Sequence, residues 1–208
     1  MTRGKFITLE GGEGTGKSTQ AARLGARLKA RGVDVVHTRE PGGSPGAEEI
    51  RHIALNGDAA RWSPLTETML MFAARSDHLE KTIRPALAAG RWIVCDRFAD
   101  SSRAYQGAGG GTPADFIEAL DAAIVGADQP DLTLIFDLPV EVGLERALAR
   151  GAAETRFESK GLQFHRRLRD GFLSVSAQHP ERCRLIDATG EPDVVAERVW
   201  RVVEPILP

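Results

Sequence analysis

Short apolar runs alternate with longer amphipathic stretches along the whole chain. The runs that predict buried strands cover residues 6–10, 33–38, 92–95, 132–137 and 183–187. Helical spacing of apolar residues is found over residues 18–31, 47–55, 65–89, 113–125, 140–149, 162–177 and 193–203. Because strands and helices alternate, the pattern predicts one α/β domain of three layers, with a five-stranded parallel sheet that has helices on both faces.

Proline and glycine divide the longest of these helical stretches. Pro64 and Gly90 stand at its two ends, as helix starts and stops require. Pro85 lies inside it and lacks the backbone N–H that an α-helix uses, so we expect the helix to end or kink near Arg84.

Composition and charge exclude some classes of partner but do not indicate a function. With 42% hydrophobic and 27% charged residues, the chain has an ordinary globular composition, and its formal net charge of −2 gives no general attraction to nucleic acid or membranes. No apolar run is long enough for a signal peptide or a membrane span, which predicts a cytoplasmic protein. Cys95 and Cys183 lie in apolar runs and are expected to be buried free thiols.

The first candidate for chemistry is the glycine-rich stretch GGEGTGKS at residues 11–18. It fits the phosphate-binding pattern G-x-x-x-x-G-K-[ST], the P-loop. It lies between a predicted strand and a predicted helix, the context that this motif requires. Glycines let the backbone N–H groups approach an anion, and the helix N-terminus adds positive potential. Lys17 is expected to reach the outer phosphates of a nucleoside triphosphate and Ser18 to hold Mg²⁺. The predicted ATP-binding residues are Gly11, Gly12, Glu13, Gly14, Thr15, Gly16, Lys17, Ser18 and Thr19.

Acidic residues at strand ends are candidates for the outer contacts to that metal ion. Asp96 ends the third predicted strand and is followed by Arg97, and Asp137 ends the fourth. Ligands of parallel sheets bind at the carboxyl ends of the strands. We favour Asp96 for Mg²⁺ because Arg97, which can bind a phosphate, accompanies it, but Asp137 stays an alternative.

Three arginines predict a second anion site near the same edge. Arg39 and Arg97 are at strand ends, and Arg51 is on the short helix that follows the second strand. Such a site favours a phosphotransferase over a simple ATP-binding module, and the chain lacks the Asn-Lys-x-Asp segment of a guanine-specific switch. A phosphate acceptor is already a nucleophile and needs positive charge and alignment rather than a base. A nucleoside monophosphate kinase is therefore favoured. A deoxynucleoside kinase that uses Asp96 or Glu13 as base, and an ATP-dependent regulatory protein, remain alternatives.

A series of motifs resembles the bacterial thymidylate kinase family of P-loop proteins. The motifs are FITLEGGEGTGKST, TREPGG, EEIR, the segment around Phe72 and Arg75, CDRF, DSSRAYQG and PDLTLIFDLP, in that order. The resemblance runs from residue 6 to about residue 150 and is looser beyond. It implies transfer of the γ-phosphoryl group of ATP to dTMP with Mg²⁺, in a homodimer.

The resemblance also implies roles for individual residues around dTMP. Arg39 and Arg97 would bind its phosphate, and Arg51 matches a position that also reaches the acceptor site. Glu13 would face the 3′-hydroxyl. Arg75 would donate a hydrogen bond to thymine, and Ser101, Ser102 and Gln106 would line the base and sugar. Tyr105 would pack under the deoxyribose and exclude a 2′-hydroxyl. Lys17 and Arg97 would act in catalysis.

A lid is the last expectation. Residues 150–160 (RGAAETRFESK) are polar, and the P-loop carries no arginine, so the resemblance implies that Arg150 and Arg156 stabilise the transferring phosphoryl group from a lid. Two positions depart from the family pattern. The thymine-stacking aromatic is expected where Met71 stands, one residue before Phe72, so either side chain could cover the base. Leu148 stands where several relatives have a further arginine.

Overall fold

The computed structural model describes residues 3–58, 61–149 and 160–207. Its centre is a five-stranded parallel sheet with the strand order β2-β3-β1-β4-β5. The strands are β1 (Phe6–Gly11), β2 (Val35–Arg39), β3 (Trp92–Asp96), β4 (Leu132–Asp137) and β5 (Cys183–Asp187). All five predicted strands and the predicted parallel sheet are confirmed.

Helices cover both faces of the sheet. They are α1 (Lys17–Ala30), α2 (Pro45–Leu55), α3 (Pro64–His78), α4 (Arg84–Ala88), α5 (Ala99–Ser102), α6 (Ala114–Ile124), α7 (Val140–Ala149), α8 (Leu162–Gln178) and α9 (Pro192–Val203). Two π-helical segments, Leu79–Ile83 and Arg103–Gly109, follow α3 and α5 directly, and a 3₁₀ turn (Glu204–Ile206) follows α9. The stretch 99–111, for which we predicted no helix or strand, is therefore largely helical.

The long predicted helix over residues 65–89 is divided where Pro85 required a change. Helical backbone continues through Pro85, but α geometry stops at His78 and resumes at Arg84, with the π-helical segment between. Pro85 then lies in the first turn of α4, where its missing N–H is tolerated.

The core on one face of the sheet joins the beginning of the chain to α9. Leu24 and Leu28 of α1 pack with Val199 and Trp200 of α9 against the sheet. Ion pairs connect the same two helices on the outside: Arg23 with Asp193, and Arg27 with Glu197 at 2.5 Å. The guanidinium carbon of Arg27 lies 4.2 Å from the centroid of the Trp200 ring. The first and last helices are thus one packing unit.

The strand order decides where the chemistry lies. Because β1 is central, the loop that follows it lies between the carboxyl ends of β3 and β4. Cys95 and Cys183 are buried free thiols, as predicted. Among the described residues, no helix is long and apolar enough to cross a membrane.

Candidate active site

The loop after β1 has the backbone that an anion cradle needs. Gly14 and Gly16 have φ values of 68° and 87°, in the left-handed region that favours glycine. A Cβ atom on Gly14 would stand 1.8 Å from the carbonyl oxygen of Gly143, so a side chain here would force the loop away from α7. Both glycines are therefore required by the structure, one for its φ value alone and the other also for close packing.

Lys17 is the first residue of α1, directly after the loop, and its side chain is almost fully buried. Its Nζ donates to the carbonyl oxygen of Gly12 at 2.6 Å and to Thr15 Oγ1 at 3.1 Å. Burial, with Arg97 nearby, lowers the pKa of Lys17 to about 8. The ammonium is thus held against the loop by neutral acceptors, and an incoming phosphate would be a stronger acceptor for it.

Ser18 and Asp96 meet where the metal ion was expected. Ser18 Oγ donates to Asp96 Oδ2 at 2.5 Å. Asp96 Oδ1 is buried and has no hydrogen-bond partner among the residues that the structure describes. By contrast, both oxygens of Asp137 accept from Arg169, at 2.7 and 2.9 Å. Of the two alternatives, Asp96 is the carboxylate with an oxygen to spare, and the donor set fits Mg²⁺, which prefers oxygen ligands.

Arg97 follows Asp96 in an unusual backbone conformation. It is the one non-glycine residue with positive φ in the described chain, at 72°. Its Nη1 donates to the Gly11 carbonyl oxygen at 3.0 Å and its Nη2 to Glu13 Oε1 at 3.3 Å. The guanidinium carbon also lies 4.7 Å from the centroid of the Tyr105 ring. The left-handed conformation thus brings this side chain back over the P-loop, and such strain is typical of functional sites.

Glu13 connects the P-loop to the segment that carries Tyr105. The Tyr105 hydroxyl donates to Glu13 Oε1 at 2.5 Å. Burial would raise the pKa of Glu13, but Arg97 and Lys17 outweigh it and hold this pKa below its ordinary value. The site therefore contains a fixed negative charge between two cations.

Glu10, which the sequence analysis did not identify, holds the backbone that directly follows Arg97. It is completely buried and accepts from the backbone N–H of Phe98 at 2.7 Å and of Ser101 at 3.2 Å. Ser101 Oγ also donates to it, at 2.6 Å. Burial, with Asp100 nearby, raises the pKa of Glu10 to about 7. The signal in the sequence was a lone carboxylate inside an otherwise apolar strand.

The raised pKa makes stability depend on pH in a defined direction. A carboxyl group with a pKa of about 7 in the folded protein and 4.5 when unfolded stabilises the fold fully below pH 4.5. This contribution is lost as pH rises through 7. Relative to Glu10→Gln, the wild-type free energy of unfolding should fall by about 3 kcal/mol across this window. Urea unfolding of both proteins at pH 5, 6, 7 and 8 measures it, and parallel pH curves would contradict the assignment.

The other two predicted phosphate-binding arginines lie around the loop after β2. Arg39 Nη2 donates to Glu48 Oε2 at 3.1 Å, and more than half of the Arg39 side chain is exposed. Arg51 Nη1 donates to the carbonyl oxygen of Pro41 at 2.7 Å. β2 and β3 are neighbouring parallel strands, and Arg39 lies opposite Asp96. Arg39 and the loop that Arg51 contacts are therefore at the same carboxyl edge of the sheet as Arg97.

Arg75 is buried among acceptors. Its Nε donates to Glu40 Oε2 at 2.8 Å, its Nη1 to Ser102 Oγ at 3.2 Å and its Nη2 to the Phe98 carbonyl oxygen at 3.0 Å. Its guanidinium carbon lies 4.5 Å from the centroid of the Phe72 ring. The structure therefore brings Arg75, Ser102 and Phe72 together.

The remaining predicted residues lie as follows. Gln106 is buried and its Nε2 donates to Glu67 Oε1 at 2.9 Å. Met71 and Phe72 are both buried, with exposed fractions of 7% and 1%, so burial does not choose between them. Thr19 is exposed in the first turn of α1. Arg150 and Arg156 lie outside the described residues.

Comparison with known proteins agrees with this geometry. The thymidylate kinase family profile matches residues 9–199. The chain is 61% identical to the thymidylate kinase of Caulobacter vibrioides over 203 residues, covering 98% of this chain and 97% of that protein. It is 52% identical to the thymidylate kinase of Bradyrhizobium diazoefficiens, covering 99% and 91%.

A solved structure gives the same result for the fold. The crystal structure of thymidylate kinase from Ehrlichia chaffeensis superimposes with a TM-score of 0.79 at 31% identity and covers 97% of this chain and 99% of that one. The P-loop, the strained arginine after β3 and the full-length similarity lead to one conclusion: the chain belongs to the thymidylate kinase family.

Proposed function

We propose that this chain transfers the γ-phosphoryl group of ATP to dTMP with the P-loop as the ATP site and Arg39, Arg51 and Arg97 as the site for the dTMP phosphate. The observation that carries the proposal is the position of Arg97, whose guanidinium contacts the carbonyl oxygen of Gly11 and the Glu13 carboxylate. An arginine held there would lie beside both the donor and the acceptor phosphates. That position suits a residue that aligns them.

The chain would catalyse transfer by charge and alignment. The acceptor phosphate needs no base, so the task of the residues is to bring two anions together and stabilise the charge that develops between them. Lys17 would follow the γ-phosphoryl group, and Arg97 would hold the acceptor phosphate in line. This favours a monophosphate kinase over a nucleoside kinase with Asp96 or Glu13 as base, since Asp96 accepts from Ser18 and Glu13 is paired with Arg97.

Ser18 and Asp96 would hold Mg²⁺. When bound with ATP, the ion would neutralise charge on the outer phosphates. The described residues contain no cluster of three or more His, Cys, Asp or Glu side chains suited to a metal. The two protein oxygens would therefore share the ion with phosphate oxygens and water, as Mg²⁺ sites commonly do.

The nucleoside part of dTMP would occupy the space between α3 and the helical segment that follows β3. Arg75 would donate to the thymine, with Ser101, Ser102 and Gln106 nearby, and Phe72 or Met71 would cover the ring. Tyr105 would lie under the deoxyribose. Its hydroxyl is held by Glu13, which supports a fixed ring that leaves no room for a 2′-hydroxyl.

Oligomeric state and location are part of the same proposal. Ile53 of α2 and Leu65 and Met69 of α3 are 42–49% exposed, and large apolar side chains on neighbouring helices suit a helix-packed homodimer. We place the enzyme in the cytoplasm, where its nucleotide substrates are. Sedimentation at micromolar concentration tests the dimer, with Met69→Asp expected to give monomers.

Arg150 and Arg156 are proposed to complete the catalytic site from the lid. Their removal should act on the transition state, so Arg150→Ala or Arg156→Ala should lower kcat about 10²-fold while KM for both substrates changes little. Steady-state kinetics measures the split. Unchanged kcat in both variants would remove the lid from the mechanism.

The acceptor is tested with a substrate panel. ADP release with Mg·ATP is measured for dTMP, dUMP, UMP, dCMP, AMP and thymidine. We expect dTMP to be best, dUMP to be weaker by about 10-fold or more because it lacks one methyl group, and UMP to be poorest. Turnover with thymidine alone would move the acceptor site to a nucleoside and overturn the arginine assignments.

A further inference from the structure

A second set of buried polar side chains stands behind Arg75. Glu40, Arg75 and His78 are each less than 5% exposed, and Thr38 is 9% exposed. Four ionisable or polar groups this deep in a core are costly unless they hold one another in place. None of them except Arg75 has a role in the transfer described above.

The contacts form a continuous chain. Thr38 Oγ1 lies 2.8 Å from His78 Nε2, and His78 Nδ1 lies 3.0 Å from Glu40 Oε1. The other oxygen of Glu40 accepts from Arg75 Nε at 2.8 Å. Because an ionised carboxylate can only accept, His78 donates from Nδ1 to Glu40, and its Nε2 forms the second hydrogen bond with the Thr38 hydroxyl. Each group therefore fixes the orientation of the next.

Packing closes this chain of contacts from the side. A Cβ atom on Gly43 would stand 2.3 Å from His78 Nε2 and 2.4 Å from Thr38 Oγ1. The imidazole and the hydroxyl are thus packed directly against Gly43, and no larger residue fits between them and the loop after β2. Glu40 is consequently held on the side opposite Arg75 by a fully buried imidazole that is packed against Gly43.

These contacts determine which N–H groups of Arg75 are already used. A guanidinium has five N–H groups. Three are used by Glu40, Ser102 and the Phe98 carbonyl oxygen, and the contacts among the described residues leave one N–H on each terminal nitrogen for a ligand. Donors held in one orientation match an acceptor on a ligand and leave a ligand donor unpaired, and a buried unpaired donor is strongly disfavoured.

We propose that Glu40, buttressed by His78 and Thr38, is a positioning residue that fixes Arg75 so that the enzyme selects a pyrimidine with a carbonyl at C4 over one with an amino group. The inference rests on the proposed contact between Arg75 and thymine. Glu40 touches no substrate; it acts through the arginine. The selectivity concerned is dTMP against dCMP, which differ at C4 and in the C5 methyl group, and dUMP serves as the methyl-free reference.

The test compares kcat/KM for dUMP and dCMP, which share the absent methyl group, in the wild type, Glu40→Gln, Arg75→Lys and the double variant. Glutamine has one acceptor oxygen and no charge, so it cannot serve both Arg75 and His78. We expect Glu40→Gln to reduce the dUMP/dCMP ratio about tenfold, with KM for ATP within about twofold of the wild type. The double variant should lose no more selectivity than Arg75→Lys alone, because the two residues act as one unit.

The matched control is Asp121→Asn, which removes another buried carboxylate, one that pairs with Arg103 at 2.9 Å. It should lower stability in urea and leave the dUMP/dCMP ratio unchanged. Equal loss of selectivity in this control would mean that general loosening, not Glu40, sets the ratio.

The two single variants test the role of Glu40 and the role of Arg75 separately. Wild-type selectivity in Glu40→Gln with lost selectivity in Arg75→Lys would overturn the inference about Glu40 alone. Wild-type selectivity in Arg75→Lys would overturn the base-reading role of Arg75 and the inference with it, while transfer to dTMP would stand. If Glu40→Gln does not fold, Thr38→Val decides: a ratio lowered about threefold supports the buttress, and an unchanged ratio overturns it.

Discussion

Replacing Lys17 with methionine is expected to lower kcat/KM for the transfer about 10³-fold. The Lys17 side chain is 6% exposed and packs against the P-loop, and no other described lysine lies within residues 11–18. Methionine keeps much of the length and apolar character of the stem but supplies no charge to the transferring group. Steady-state ADP release measures the loss, and Lys29→Met, an exposed lysine of the same helix, is the matched control that should keep full activity.

The pH dependence of ATP binding gives the same residue an independent test. With a pKa of about 8 in the free enzyme, the Lys17 ammonium loses its proton as pH rises above 8 and then offers no charge to a phosphate. Wild-type affinity for ATP should therefore weaken above pH 8, and the Lys17→Met protein should bind weakly with little such dependence. Titration with a fluorescent ATP analogue from pH 6.5 to 9.5 measures both. Activity of Lys17→Met near the wild-type level would mean that another cation serves the γ-phosphoryl group.

Arg97 should have the next largest effect, and its backbone allows a sharp comparison. Arg97→Ala and Arg97→Gly both remove the guanidinium, and each should lower kcat/KM for dTMP about 10²- to 10³-fold. Arg97→Lys should recover little, because a lysine cannot bind a phosphate with two parallel hydrogen bonds. Arg91, which is paired on the surface with Asp34, supplies the control variant Arg91→Ala, expected to be fully active.

The same pair of variants reports the strain at this position. The φ value of 72° disfavours any residue with a Cβ atom, so Arg97→Gly should be more stable than Arg97→Ala by about 1 kcal/mol although both lose activity to a similar extent. Urea unfolding measures the difference. Equal stability of the two variants would show that the backbone relaxes when the side chain is removed.

Local patterns were enough to predict the fold and the phosphate loop. The strand patterns, the alternation of strands with helices and the G-x-x-x-x-G-K-S stretch all depend on residues near one another in sequence, and the parallel sheet follows from them. The strand-end pair Asp96 and Arg97 was found in the same way, because parallel strands end at one edge.

Long-range polar pairs could not be predicted in this way. Glu10 accepts from Ser101, and Glu40 accepts from Arg75, and in neither case does any periodicity connect the two positions. The two π-helical segments were also missed, since no residue pattern distinguishes them from α-helix. The choice between Met71 and Phe72 stays a prediction because both are buried.

The packing of α1 against α9 has a consequence for the order in which the enzyme folds. Arg23 and Asp193 are 170 positions apart, and the apolar core behind the phosphate loop joins residues from both ends of that interval. Contacts between such distant positions form late in folding, because a long stretch of chain must first be ordered. During synthesis the phosphate loop emerges early, yet its supporting helix has its full packing only after α9 emerges. Full affinity for nucleotide should therefore appear only once α1 and α9 have packed together, which places it late in folding.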